Sequence, residues 1–380
     1  MNNYNPADVA SQIVEGIKNE YAQLNKLNVM VLGKTGVGKS TLINNMFMKK
    51  IAKTGVGKPI TSTIRKLEQS DFPLAIYDTP GLELSGENSI ENLLEEVKKI
   101  IEDGVVSGNI ADAIHCIWYC VSAVSHRIED SEIQFIKEFL NETNKFNIPV
   151  IVVLTQSYSK TDAAELEKYI SKLKLDISSI VPVLAEEKVI DDDYAIKPYG
   201  LEKLSYVMND IIPEAVQKTF ICIQSKNLQL KKDKAQTVVT ASAIAAAGAG
   251  ASPIPFSDAA VLVPIQIGML TTITVTFGLP IEKTTLVGVL TATIGTGGAT
   301  ILGKTVVAGL LKLIPRADTV VGGAISGATA LLVTTALGEA YIKILEMICK
   351  GEMKIEDLET KKGQDILAGA FKDFLKLGKK

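Results

Sequence analysis

The chain has 380 residues, a formal net charge of -3, and 47% hydrophobic against 22% charged residues. One hydrophobic core rarely fills that length, so two domains are expected, and the composition excludes a disordered chain. The near-neutral balance gives no reason to expect a nucleic-acid partner, and four scattered cysteines (Cys116, Cys120, Cys222 and Cys349) do not make a disulfide framework.

In chain order, Val9, Ile13, Ile17, Tyr21 and Leu24 recur at helical spacing and predict an amphipathic helix within residues 1–24. Residues 1–8 carry neither a basic start nor an apolar run, so no secretory signal is expected and the compartment reads as cytoplasmic. Apolar runs then alternate with helical stretches. Strands are predicted at 27–32, 74–78, 113–122, 149–155 and 179–184, with helices at 39–48, 89–103, 130–141 and 161–173. This is the pattern of an α/β domain, a mostly parallel sheet flanked by helices, over residues 25–213. His115 and His126 are the only histidines, which leaves a zinc site few ligands, and Cys116 and Cys120 read as core.

The strand at 27–32 runs into Gly33-Lys34-Thr35-Gly36-Val37-Gly38-Lys39-Ser40-Thr41, which fits G-x-x-x-x-G-K-[ST] in its required strand–loop–helix context. The glycines allow successive N–H groups to turn inward around phosphate oxygens. Lys39 adds a point charge, and Ser40 offers a hydroxyl to Mg²⁺. Some 38 residues beyond Ser40, Asp78-Thr79-Pro80-Gly81 closes another apolar strand. Asp78 is expected to reach the metal shell, and Gly81 to offer its N–H to a terminal phosphate. Between the two boxes a glycine-rich loop carries Thr61, the first choice for a switch residue on the metal, with Thr63 second. The expected catalytic set is therefore Lys39, Thr61 and Gly81, and the metal set Ser40, Thr61 and Asp78.

The base site is less regular. The strand at 149–155 ends in Thr155-Gln156-Ser157-Tyr158, where a guanine site would carry Asn or Thr, Lys, any residue, then Asp. Gln156 stands for the lysine and Tyr158 for the aspartate; Asp162 is a substitute carboxylate four residues on, and Ala185 a backbone contact. ATP in place of GTP stays open on these residues.

Together GKTGVGKSTLIN, the Thr61 switch and DTPG resemble the Era-like and septin-like GTPases of the translation-factor class, over roughly residues 25–213. The resemblance implies GTP/GDP and Mg²⁺ as cofactors and hydrolysis of GTP by a conformational switch. Such switches often carry a glutamine directly after D-x-x-G. Leu82 stands there, so slow hydrolysis is expected, with a homodimer across the nucleotide face as the preferred remedy. A nucleotide-gated oligomerising or membrane module with little turnover is the alternative.

From Ala235 onward the composition turns to Ala, Gly, Thr, Val, Ile and Leu, predicting an all-α, Gly/Ala-rich helical domain over 214–350 and a basic amphipathic tail over 351–380. This half looks like the poorly characterised helical domain behind such G domains in many bacterial proteins, with a more distant likeness to the immunity-related GTPases. Four uncharged stretches of about twenty residues, with lysines at 226, 231, 232 and 234 before them, leave two readings open. One is a soluble bundle; the other is a segment on or in an anionic membrane at the inner face of the cell.

Overall fold

The computed structural model describes residues 6–51, 64–79, 87–125, 127–250, 258–280, 282, 286 and 327–377. The chain divides into two units, Leu24–Asn227 and a second made of Met1–Gln23 with Leu228–Lys380.

In the first unit, strands β1 (Leu27–Leu32), β2 (Arg65–Gln69), β3 (Phe72–Asp78), β4 (Cys116–Ser122), β5 (Val150–Thr155) and β6 (Ser179–Pro182) form a sheet in the order β2-β3-β1-β4-β5-β6. All neighbours pair parallel except β2, which is antiparallel to β3. β1 and β5 are buried along their whole length, as strands covered by helices on both faces must be, and so read as unbroken apolar runs. β2 is different. Its sequence RKLEQ alternates exposed and half-buried residues, and its charges suit an edge. No apolar run announces it, so the sequence analysis did not predict it.

Helices α2 (Lys39–Met46), α3 (Glu87–Val106), α4 (Asp130–Thr143) and α5 (Lys160–Lys172) fall where periodicity places them. Leu93, Val97 and Ile101 of α3 meet Ile133, Ile136 and Leu140 of α4 in one core cluster with β4 and β5. The Ser159 hydroxyl caps α5 by accepting from the Asp162 N–H at 3.2 Å.

The predicted end of this domain at residue 213 does not hold as a structural boundary. Pro213 only separates α6 (Leu201–Ile211) from α7 (Glu214–Ile223), because it opens a helix readily and cannot continue one. Val216, Phe220 and Ile223 of α7 are buried, and the helix ties back to the segment just before β1: Asn25 Nδ2 donates to Ala215 O, and Thr219 Oγ1 donates to Asn25 O, both at 2.8 Å. A short antiparallel hairpin, β7 (Lys188–Asp191) with β8 (Tyr194–Ile196), precedes α6 and was also unpredicted.

The second unit joins α1 (Pro6–Ala22) to α8 (Leu228–Gly250), α9 (Asp258–Phe277), α10 (Gly327–Cys349) and α11 (Lys361–Leu377). Neither α1 nor α11 is a separate appendage, as the 1–24 and 351–380 divisions supposed. Val9, Ala10 and Ile13 of α1, and Leu367, Ala370, Phe371 and Leu375 of α11, lie in the same buried cluster as α8, α9 and α10. Each helix buries an apolar stripe it could not leave in water, worth about 1.5–3 kcal/mol per large side chain. Small residues set the spacing of α8 and α10: a Cβ on Gly338 would lie 2.4 Å from Val239 Cγ2. Inside, the Thr274 and Tyr341 hydroxyls lie 2.7 Å apart, within hydrogen-bond distance.

The lysine cluster splits. Lys231 is buried and donates to Thr276 O and Phe277 O, the open carbonyls at the end of α9, while Lys232 lies 3.6 Å from Glu346. Among the described residues one helix, Gly327–Cys349, is long and apolar enough to cross a membrane by length and composition, and 61% of its apolar window is buried within the fold. The predicted uncharged stretch at 284–303 lies outside the described residues save for Leu286, as does 319–326.

Candidate nucleotide site

Strands β1, β3, β4 and β5 end together. Val31 is paired with Asp78, Leu32 with Tyr119, and Ser122 with Thr155, so the loops that follow share one rim of the sheet. In parallel α/β sheets this carboxyl rim is where ligands bind.

The loop after β1 is built by three glycines with positive φ: Gly33 at 139°, Gly36 at 78° and Gly38 at 94°. Gly33 cannot be replaced in place, since a Cβ there would lie 2.3 Å from the Cys120 carbonyl oxygen on β4. Gly38 caps α2 in the left-handed conformation, so the first N–H groups of α2 open toward the loop. Val37 is buried, Thr35 exposed, and Ser40 and Thr41 half-buried at the helix start.

Lys39 folds back over this loop, its ammonium donating to Gly33 O at 2.8 Å and Lys34 O at 3.2 Å. Burial lowers its pKa, against the opposing fields of Cys120 and the Asp78 carboxylate. Across from it, burial raises the pKa of Asp78, with Lys39 and Arg65 pulling the other way. The Asp78 Oδ1 atom is buried without a hydrogen-bond partner among the described residues. An uncompensated carboxylate oxygen beside a lysine and a helix N-terminus is a site with room for a cation and an anion to complete it. The neighbouring Thr79 is fixed, its hydroxyl and N–H both donating to Val31 O at 3.0 and 3.2 Å. Cys120 is inert here, its thiol pushed up to about 12 by burial.

Lys34, expected only as part of the phosphate loop, has its own role in the packing. Its ammonium lies 2.9 Å from the largely buried Glu132 and 3.0 Å from Glu129, which ties the loop to the start of α4. Burial pulls its pKa down, but the hydrogen bonds and charge of these two carboxylates outweigh it and leave the pKa raised.

Beside the loop is a cleft lined by Gly38, Thr41, Thr155 and Gln156 on one side and by Tyr158, Ala185, Glu186, Glu187 and Lys188 on the other. Thr155 is turned into the sheet, its hydroxyl donating to Val121 O at 3.1 Å. Gln156 has φ 53° and both ends of its amide engaged: Ser122 Oγ donates to Oε1 at 2.7 Å, and Nε2 donates to Gly36 O at 2.9 Å. The glutamine thus braces the glycine loop against the end of β4. Asp162 does not line the cleft; it sits in the first turn of α5 under the Ser159 cap.

The structure therefore brings Gly33–Thr41, Asp78, Thr155, Gln156 and Ala185 to one rim, while Thr61, Thr63, Gly81 and Leu82 lie outside the described residues. Sequence reasoning missed Ser122, Glu132 and Glu186. Ser122 and Glu132 carry no local signal, since their roles arise from strand register and helix placement. Glu186 adjoins the predicted contact Ala185, and that adjacency is its one local signal.

A parallel sheet whose first strand turns through three positive-φ glycines into a capped helix, with a lysine folded over the turn and a lone carboxylate at the next strand end, is a P-loop nucleotide-binding fold. Residues 28–156, about a third of the chain, are similar to the family described as 50S ribosome-binding GTPase. Septin-9 of Mus musculus is 26% identical over 193 residues, covering 44% of this chain and 32% of septin-9. GTPase Era of Vibrio vulnificus is 24% identical over 164 residues, covering 42% of this chain and 46% of Era. The chain thus spans about a third to a half of the length of these relatives. Among solved structures, Aquifex aeolicus Era bound to GDP and AlF4⁻ aligns with a TM-score of 0.37 and 20% identity, covering 58% of this chain and 67% of that one.

Proposed function

We propose that the chain binds GTP with Mg²⁺ and hydrolyses it slowly to GDP and phosphate, using nucleotide state as a conformational signal to the helical unit. The observation that carries this reading is Lys39, held among the described residues by the loop carbonyls of Gly33 and Lys34, within the electrostatic reach of a buried Asp78 oxygen that has no hydrogen-bond partner among those residues. Lys39 and the N–H groups from Gly33 to Ser40 would hold the phosphates. Ser40 and Asp78, with Thr61 as the switch residue, would hold the metal, whose chemistry when bound is to neutralise charge on phosphate oxygens. The three positive-φ glycines fit that assignment because left-handed turns let successive N–H groups face phosphate oxygens.

Slow turnover follows from Leu82 at the position after D-x-x-G, since leucine cannot orient a water. A homodimer meeting across the nucleotide face would supply the missing group. Turnover per molecule should then rise with protein concentration. For the helical unit, burial of the apolar stripes of α1 and α11 supports a soluble bundle over a membrane-bound one. Flotation with anionic liposomes, with and without a GTP analogue, tests that choice.

The binding test is equilibrium titration of a fluorescent GDP with Mg²⁺, competed by unlabelled GTP and ATP. GTP is expected to displace it at far lower concentration than ATP, and Lys39→Ala to bind at least about 100-fold more weakly, two decades being about 2.8 kcal/mol. Unchanged affinity in Lys39→Ala would overturn the assignment.

A further inference from the structure

The cleft that would take the base has no carboxylate at the position where Tyr158 stands, and Gln156 is engaged at both ends of its amide, with Ser122 and with Gly36. A group that selects guanine must therefore come from elsewhere on the cleft wall. The edge that distinguishes guanine carries two neighbouring N–H donors, at N1 and the 2-amino group. Adenine presents an acceptor at N1. A carboxylate accepts two bonds from the first and repels the second.

Two carboxylates line the cleft, Glu186 and Glu187. Glu187 is paired with Lys197 at 2.8 Å, and Lys188 beside it is directed to the Tyr158 ring at 5.4 Å. Glu186 has no ion-pair or hydrogen-bond partner among the described residues. The segment that carries it is anchored at both ends. Val183 N–H donates to Leu154 O at 2.7 Å, and Leu184 and Tyr199 exchange two backbone bonds of 3.0 Å. Strand β7 begins two residues later, at Lys188. Tyr199 also donates from its hydroxyl to Ser157 O at 2.8 Å, which joins this loop to the end of β5. The short run Ala185–Glu187 is thus positioned on the wall by backbone bonds, facing the glycine loop across the cleft.

We infer that Glu186 is the specificity-determining residue for the base. Its carboxylate accepts from N1–H and the 2-amino group of guanine, replacing the aspartate that Tyr158 displaces. This rests on the nucleotide-binding reading above and adds the origin of its base selectivity. Neither Asp162, which lies off the cleft, nor Glu187, which is already paired, has that role.

The test is binding of GDP, IDP, XDP and ADP, each with Mg²⁺, to the full chain and to Glu186→Gln, Glu187→Gln and Asp162→Asn. The wild type should prefer GDP to IDP, which lacks the 2-amino group, and should bind ADP worst. Loss of two charge-assisted hydrogen bonds in Glu186→Gln should weaken GDP about 10- to 100-fold and erase the GDP-over-IDP preference. The same variant should gain XDP, because a glutamine amide can accept from N1–H while donating to the 2-oxo group. A general loss of structure would not produce that gain. Glu187→Gln and Asp162→Asn should match wild type. If Glu186→Gln keeps wild-type preference, or if the loss appears in Glu187→Gln or Asp162→Asn instead, the inference is overturned while nucleotide binding stands. A wild type that binds none of the four would overturn both.

Discussion

Replacing Gly33 by alanine tests the physical basis of the loop. Two costs add. An alanine forced to a φ of 139° is strained, by about 1–2 kcal/mol. Its Cβ would also lie 2.3 Å from the Cys120 carbonyl oxygen, which is locked in the centre of the sheet and cannot rotate away. The loop or strand must then shift by most of an ångström, an overpacking cost of about 1–3 kcal/mol. Gly36→Ala separates the two terms, because Gly36 has a φ of 78° but nothing within 4 Å of an added Cβ. Trp118 is the only tryptophan, is fully buried, and stacks on Phe47 at 5.9 Å, so its fluorescence reports unfolding of the first unit alone. With about 2–4 °C per kcal/mol for a unit of this size, Gly33→Ala should melt roughly 2–12 °C below Gly36→Ala. Equal melting temperatures for the two variants would show that the loop is not pressed against β4, and the cradle geometry would be wrong.

Further outcomes follow from the same structure. Asp78→Asn removes a carboxylate whose buried oxygen has no partner, and should raise the ligand-free melting temperature by about 2–4 °C, for roughly 1 kcal/mol, while abolishing the Mg²⁺ dependence of nucleotide binding. Because burial raises the Asp78 pKa, its stabilising contribution is present below the ordinary value of 3.8 and lost as pH rises through the folded value. The advantage of Asp78→Asn should therefore grow with pH across that window, as read by thermal melts at several pH values. Gln156→Ala removes bonds to Ser122 and Gly36 and should cost about 1–2 kcal/mol in urea unfolding followed by Trp118; Ser122→Ala should cost less, since the bond to Gly36 survives. In the helical unit, Gly338→Ala should destabilise by about 1–3 kcal/mol, measured by far-ultraviolet circular dichroism, and Val239→Ala in the same chain should recover part of the loss.

The parts of this fold that were legible are those where burial is two-sided or periodicity is long. β1, β4 and β5 are dense apolar runs because helices cover both faces, and α3 to α5 repeat at helical spacing. β2 escaped because an edge strand answers to pairing along one side, and a sequence like RKLEQ carries that information only in its partner. The predicted boundary at residue 213 falls between two helices of one unit, because Pro213 interrupts the helical run without ending the packing that α7 continues. For the site, the phosphate loop is local in sequence and could be read, glycine by glycine. The base cleft is assembled from three separate strand ends, so its wall residues become neighbours only after the sheet is built.

The order of the chain has a consequence for synthesis. α1 packs with helices that begin at Leu228, so its partners emerge only after the intervening roughly 200 residues, about 10–40 s later at ordinary translation rates. Throughout that interval Val9, Ala10 and Ile13 have no lasting cover, and a holdase chaperone would have its best opportunity there. Folding of the intervening unit shortens the wait in another sense. The bonds from Asn25 to Ala215 and Thr219 bring its entry and exit close together, so a long tether becomes a short one before the last helices arrive.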